Sequence, residues 1–365
     1  MHATNKDILE FFFDGRNRGV HRVRRGDAKF AGYARLFEPG EFFRGSKSAS
    51  ERGWFYSYVH GEGTQAFAAL AFDERQCRLF NELRAGGKSF LFGEGTCAAR
   101  FADGKASVKD AEREAVLEFN GLEYSLAISV PRGSGKLVFK YSFRKIPKIG
   151  NYRCVFNVFG RILCTWVLNP LSGSLEISAE GDVSSMNLPP QVAELVGARI
   201  EGQYGYTEGV RVALPIVSSG WNWNVALCQP VSGKGNAKFV GLMQFFVDIN
   251  GRRVPVNYQL YWTDWKSGKF EIYGDANGRV SFKSRLPTAS AASADGRFKV
   301  RVRARHKPAK RVIKGAALLT HFGLPSADID YASFANELSA RIGRRKYSGK
   351  GTSEITGLKK LSYWV

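Results

Sequence analysis

Four of the seven tryptophans fall between positions 221 and 265, mixed with tyrosine and side-chain amides. In an extended chain Trp221 and Trp223 point to one side and Asn222 and Asn224 to the other. Tyr261, Trp262, Asp264 and Trp265 follow after a long hairpin. A single tryptophan more often fills a core than lines a site. This density of rings, with Gln244 and Asn257 among them, points to a pocket walled by aromatics with a few polar anchors for an apolar small molecule.

Two acids and one phenol are the candidates for catalysis. Asp264 lies between Trp262 and Trp265, where desolvation would favour its protonated form and make it a general acid. The competing reading is a carboxylate capping the turn before Lys266-Ser267-Gly268. Glu208, in Tyr204-Gly205-Tyr206-Thr207-Glu208-Gly209, is the second acid, against a salt bridge to Arg211 or plain exposure. Tyr261 is the phenol, and Tyr206, near Glu208, is counted with the tryptophans and amides as a ligand-binding residue.

The elements that must position these residues read as β-strands. Asn120-Gly121, Asn250-Gly251 and Asn277-Gly278 each separate two strand-like runs, and Asn-Gly suits a tight hairpin turn because both residues accept positive φ. Asp103-Gly104 and Asp295-Gly296 are weaker versions of the signal. Around Asn250-Gly251 a two-residue loop pairs Ile249 with Arg252, Asp248 with Arg253 and Val247 with Val254, and further out sets Gln244 opposite Asn257. Asp248 and Arg253 then form a cross-strand ion pair. The two amides either satisfy each other or orient a bound polar group. Met243, Phe245 and Val247 share a core face with Tyr258, Leu260 and Trp262. Pro255 cannot donate to a ladder, so its strand lies at an edge or carries a bulge.

The chain is expected to be all-β, two consecutive antiparallel barrels or sandwiches with a few short helices. A basic segment covers 1–29, the first β domain 30–183 and the second 200–315, with a linker at 180–190. Residues 316–365 form a C-terminal helix and basic tail. The helix rests on Tyr331, Phe334, Leu338 and Ile342, an apolar stripe that stops at Gly343. A second short helix opens at Pro189-Pro190-Gln191. Gly53-Trp54-Phe55-Tyr56 and Gly220-Trp221-Asn222-Trp223 echo each other, which leaves internal duplication an even question.

Five cysteines form no C-x-x-C pair and read as buried free thiols. Five dispersed histidines include His60, read as a surface turn residue. Nucleotide-binding loop, G-x-S-x-G elbow and metal-ligand spacing are all missing, so no cofactor is expected. Gly133-Ser134-Gly135-Lys136 reads as a hairpin turn. No apolar run approaches the roughly 18 residues of a membrane span, and the N-terminus lacks a signal-peptide pattern; a cytoplasmic address, including the periphery of a membrane, is expected.

The net charge of +21 is the strongest bulk feature, and part of it is clustered. Arg16, Arg18, Arg22, Arg24 and Arg25 form one group, and Arg344-Arg345-Lys346 another. Nine Lys/Arg lie between Arg297 and Lys314 without an acid. From Phe298 to Arg305 cations alternate with apolar residues, placing Lys299, Arg301 and Arg303 on one strand face. A solvated face, or repulsion protecting an edge strand, accounts for such a stripe. Nucleic acid or an anionic membrane surface is the alternative partner.

The layout resembles the hydroxyneurosporene synthase (carotenoid 1,2-hydratase) group, proteins of two consecutive lipocalin-like barrels. The resemblance rests on Gly53–Tyr56, Tyr206–Gly209, Gly220–Trp223 and the hairpin over 239–262, and spans about 50–305. It implies an isoprenoid- or polyene-like ligand and acid-initiated hydration, with pericyclic cyclisation among related tandem barrels. The matching residues are Trp221, Trp223, Tyr261 and Asp264. The chain departs from the pattern at Tyr206-Thr207-Glu208, where His and Trp are expected, so Glu208 would have to serve as the acid or the protein would only carry its ligand.

Overall fold

The computed structural model describes residues 20–23, 52–72, 76–102, 105–150, 152–158, 161–212, 220–249, 252–273, 277–281, 288–305, 309–316 and 327–358. The basic N-terminal group other than Arg22, along with His2, His306 and His321, lies outside them. Among the described residues the chain is almost wholly β-strand, in two antiparallel sheets that belong to two compact units.

The first unit comprises residues 33–156 and 162–214. After β1 (Val20–Val23), which belongs to the other sheet, its strands are β2 (Arg52–His60), β3 (Thr64–Phe72), β4 (Gln76–Ala85), β5 (Lys88–Ala102) and β6 (Lys105–Lys109). They continue through β7 (Glu114–Phe119), β8 (Glu123–Arg132), β9 (Gly135–Lys145), β10 (Tyr152–Val158) and β11 (Arg161–Glu180). A one-turn helix α1 (Pro190–Ala193), β12 (Arg199–Glu201) and β13 (Tyr204–Val212) complete it. β2 through β9 form a meander, β13 pairs with β2, and β11 joins β13 to β9. That circuit is a closed ten-stranded barrel.

Closure depends on the length of β11. Its first half pairs with β13 and its second half with β9 and β12, and the handover falls at Leu171–Gly173. Gly173 is required there, since a Cβ would meet Phe143 at 3.0 Å and the Gly205 Cα at 3.2 Å. Inward residues alternate with outward ones along each strand. Tyr124, Leu126, Ile128 and Val130 of β8 are buried in one apolar cluster with Phe55, Leu70 and Phe139. This cluster fills the barrel interior. β12 and β13 belong to this barrel by their pairing, so the linker at 180–190 precedes its closing strands rather than the second unit.

The second sheet contains β14 (Gly220–Pro230), β15 (Lys238–Ile249), β16 (Arg252–Asp264), β17 (Phe270–Tyr273) and β18 (Asn277–Ser281). β19 (Thr288–Ala292), β20 (Phe298–Ala304), β21 (Ala309–Ala316), β22 (Ala327–Ile342) and β23 (Arg345–Leu358) follow. Its order is β1-β17-β16-β15-β14-β23-β22-β20-β19-β18, a half-barrel, with β21 beside β22. Both Gly-Trp strands, β2 and β14, pair on one side with the next strand and on the other with the last long strand of their sheet, β13 or β23.

The expected C-terminal helix is instead the β22–β23 hairpin. Burial along β22 runs Ala332, Phe334, Asn336, Leu338, Ala340, a period of two. The buried polar Asn336 hides that alternation in the sequence, and cross-strand pairing overrides the helix propensity of the alanine-rich run. Asn277-Gly278 is not a hairpin turn either, because it starts β18 and pairs with Ala291 and Ala292 of β19. α1, the short helix expected at Pro189-Pro190-Gln191, is only four residues long, with Val192 buried.

Pro255 marks a bulge rather than an edge. β16 lies between β15 and β17, and the register slips between Phe245 and Phe246. Near the turn Val247, Asp248 and Ile249 pair as expected with Val254, Arg253 and Arg252. Beyond the bulge one residue is gained, so Gln244 faces Tyr258 and Asn257 faces Phe245.

Candidate functional site

The outward face of β13-β2-β3-β4 in the first barrel is buried as well. Register puts Tyr204 beside His60, Tyr206 beside Tyr58 and Glu208 beside Tyr56. Tyr58 and Tyr206 stack at 4.8 Å between ring centroids, and His60 and Tyr204 at 4.9 Å. Tyr56 stacks on Phe67 of β3 at 5.6 Å. Tyr206 has no exposed surface and Glu208 is 5% exposed. The result is a wall of tyrosine rings with a carboxyl group at one end and an imidazole at the other.

His60 is thus buried rather than a surface turn residue. The Tyr58 hydroxyl lies 2.9 Å from its Nδ1, and Gln65 Nε2 lies 3.2 Å from the same atom. Gln65 Oε1 accepts from Arg84 at 3.4 Å, Arg84 donates to Glu82 at 2.9 Å, and Ser89 donates to Glu82 at 2.5 Å. The Arg84 donor fixes the amide orientation of Gln65, so its NH2 faces His60. Both groups meet the imidazole at Nδ1. A phenol hydrogen-bonded to an imidazole in a buried setting can pass a proton or bind a ligand oxygen. Tyr206 and Glu208 are expected site residues, while Tyr56, Tyr58 and His60 are not found from the sequence. Alternating Tyr56-x-Tyr58-x-His60 and Tyr204-x-Tyr206-x-Glu208 was visible, but the two strands are some 150 positions apart in the chain.

Inside the same barrel, Asn169, Thr207, Ser57, Ala68 and Asn81 lie in register on five neighbouring strands. Asn169 donates to Thr207 at 3.0 Å, and Tyr141 donates to Asn81 at 2.5 Å. Ser57 Oγ, Asn81 Nδ2 and Asn169 Oδ1 have no protein partner. Three such atoms in an apolar lumen form a polar belt able to hold a neutral donor or acceptor group. Burial pushes the Tyr141 phenol pKa far up, with the charge of Glu82 adding to it.

The second sheet separates the other expected site residues onto two faces. Trp221, Trp223, Met243, Gln259 and Tyr261 share one face. Trp223 Nε1 donates to the Tyr261 hydroxyl at 2.9 Å. The Tyr261 ring lies across Gly241, where an added Cβ would come within 2.0 Å of it. Gln244, Trp262 and Asp264 point to the opposite face, with Asn222 and Asn224. Trp265 lies in the turn after β16 and stacks on Phe239 at 5.8 Å. The Asn257 side chain lies outside the described residues.

Asp264 is not a proton-holding acid. Lys238 Nζ lies 2.5 Å from its Oδ2, and Asn236 donates to both carboxylate oxygens at 3.1 and 3.2 Å. The backbone N–H groups of Lys266 and Ser267 donate to Oδ1 at 3.1 and 2.7 Å. Burial alone would raise its pKa, but these hydrogen bonds outweigh burial and hold the carboxyl well below the usual range. Lys238 also lies 4.5 Å from the Trp262 ring centroid, so the tryptophan supports the ion pair instead of desolvating a neutral acid. Asp264 caps the turn. Tyr206 and Glu208 belong to the first unit and Trp223, Tyr261 and Asp264 to the second, so the expected set divides between two folded units.

The inner face of the second sheet carries a relay of its own. Asn336 donates to Ser353 Oγ at 2.8 Å, Ser353 to Asn224 at 2.6 Å, and Asn224 to Asn222 at 3.0 Å. Asn222 Nδ2 and Asn336 Oδ1 remain without a protein partner at its two ends.

Neither a family model nor a curated protein matches the chain in sequence. Several solved structures share its fold, CghA and kievitone hydratase among them. CghA matches with a TM-score of 0.52 and 9% identity over 84% of this chain and 88% of that one. Kievitone hydratase from Nectria haematococca matches with a TM-score of 0.52 and 9% identity over 91% of this chain and 94% of that one. At such identity the similarity is one of fold, and it agrees with two consecutive lipocalin-like barrels.

Proposed function

We propose that the protein binds an extended apolar molecule, isoprenoid- or polyene-like, against the tyrosine wall of the first barrel. In this reading it is a divergent member of the tandem-barrel hydratase and cyclase group. The observation that carries the reading is the wall itself. Glu208 lies four residues from Tyr204 along β13, about 13 Å at strand rise, and Tyr204 stacks on His60. A carboxyl group at one end, a Tyr58–His60 pair at the other and rings between them suit a long ligand with an oxygen at its far end.

The chemistry follows from those groups. Glu208, protonated, delivers its proton to a carbon of a terminal double bond, and the electron pair of that bond forms the new C–H bond. The tertiary cation left behind is stabilised by the faces of Tyr56 and Tyr206. Water adds its oxygen to the cation and returns a proton to the Glu208 carboxylate; if an internal double bond attacks instead, its electron pair closes a ring and the new cation loses a neighbouring C–H proton to the same carboxylate. The fold shared with kievitone hydratase supports the architecture, while the substrate is argued from this chain's residues alone.

The test is fluorescence titration with polyenes and terpenoids, coupled to product analysis. Glu208→Gln is expected to keep affinity within about threefold and to abolish product. Absence of quenching by every member of such a panel would end the proposal. Binding without product by the unaltered protein would leave a carrier and remove the hydratase step.

A further inference from the structure

The alternating stripe of β20 is a solvated face, the first of its two expected explanations, while the second, protection of an edge, fails. Phe298, Val300, Val302 and Ala304 are buried while Lys299, Arg301 and Arg303 are exposed. β20, however, lies between β19 and β22 inside the sheet, so its charges do not guard an edge. Register makes the arrangement more costly than a stripe. Lys299 faces Arg341 of β22, and Arg341 faces Lys346 of β23, three cations side by side on adjacent strands. Like charges directly opposite one another destabilise a sheet. Among the described residues none of the three, nor Arg301, forms an ion pair. Folding alone gives no reason for the row.

The neighbouring row is polar and uncharged. Arg301 faces Ser339, and Ser339 faces Ser348. Both rows line one open groove of about 640 Å³ whose lining contains no acid. Guanidinium, ammonium and serine hydroxyl groups are the side chains that hold phosphate oxygens in nucleic-acid complexes. The groove's aromatic residue, Tyr347, is buried at 3% exposure and offers no ring for base stacking.

We infer that this groove binds the phosphodiester backbone of nucleic acid without reading its bases, through Lys299, Arg301, Arg341 and Lys346. A bilayer fits less well. A flat surface would touch only the rim of a groove, and Val231 is the one large apolar side chain exposed there among the described residues. The inference does not depend on the ligand proposed for the first barrel.

The experiment is fluorescence anisotropy with a mixed-sequence DNA duplex between 50 and 200 mM salt, on the full chain. Four neutralised phosphates give a slope of log affinity against log salt of about −3.6, or about a 150-fold loss over that range. Lys299→Glu with Arg341→Glu is expected to weaken binding at least tenfold at 50 mM salt and to halve the slope, while a duplex of scrambled sequence binds equally. Lys136→Glu with Lys140→Glu, an equal charge change on exposed first-barrel positions, is expected to alter binding less than threefold. An equal loss in that control, an unchanged slope, or binding to phosphatidylserine vesicles but not to duplex would each overturn the inference. Lys299→Ser with Arg341→Ser serves if the reversal misfolds, and is expected to weaken binding while keeping or raising Tm.

Discussion

The Tyr58 hydroxyl and His60 Nδ1 stand 2.9 Å apart on the buried outward face of the first barrel, two residues apart on one strand. The orientation of the pair is set from outside it. Glu82 holds Arg84, Arg84 holds the Gln65 carbonyl, and the Gln65 amide faces the imidazole. The Tyr58 phenol is thus aimed by residues on two further strands.

His60→Leu is therefore expected to take one hydrogen-bond partner from the Tyr58 hydroxyl and one from the Gln65 amide. The cost should be about 1 kcal/mol per hydrogen bond lost, read by urea unfolding. Gln65→Leu added to His60→Leu should recover part of it. Strict additivity of the two losses would show that the chain of contacts is not coupled.

Asp264→Asn separates the structural role from the catalytic one. Removing the carboxylate leaves Lys238 buried beside Trp262, with an expected loss of about 3 kcal/mol at neutral pH. The folded pKa of Asp264 is depressed, so its contribution is present above the ordinary aspartate value of about 3.9 and disappears as pH falls through the folded value. The variant should accordingly show a shallower loss of stability below about pH 4. Ligand affinity should change less than threefold; loss of turnover with intact stability would restore Asp264 as the acid.

Much of this was legible in the sequence. Asn-Gly turns, alternation and the Gly-Trp strands pointed to an all-β chain in two parts, and Val247, Asp248 and Ile249 pair as the turn predicted. Pro255 signals the bulge in the sequence but not its one-residue gain, and a gain of one exchanges the faces of Gln244 and its partners. β22 was misread because Asn336 interrupts its apolar alternation. The tyrosine wall was hidden for a different reason: it is assembled by pairing β2 with β13, and local pattern says nothing about such distant partners. Asp264 had been weighed as a turn cap, and Lys238, far from it in sequence, decides the matter.

The polar belt in the first barrel makes a separate prediction. Asn81→Leu removes the acceptor of the Tyr141 hydroxyl and should cost about 1–3 kcal/mol. Adding Tyr141→Phe should return most of that loss in a double-mutant cycle by denaturant unfolding, since an apolar pair of similar shape leaves nothing unsatisfied. A second loss of similar size would argue that Tyr141 has another buried partner.

Gly241→Ala tests the seat of Tyr261. The methyl group would enter the space of the phenol ring and displace it from Trp223. Overpacking of this kind costs about 1–3 kcal/mol, and tryptophan emission should shift as the indole loses its hydrogen-bond acceptor. An unchanged emission maximum would mean that the Trp223–Tyr261 contact survives the substitution.

The most direct measurement is ligand binding and product formation by Glu208→Gln beside the unaltered protein, with a terminally unsaturated isoprenoid. Quenched fluorescence in both proteins, with hydrated or cyclised product only from the unaltered one, is the predicted result. Equal product from both proteins would contradict the assignment of Glu208 as the proton donor, and quenching in neither would contradict the ligand site on the tyrosine wall.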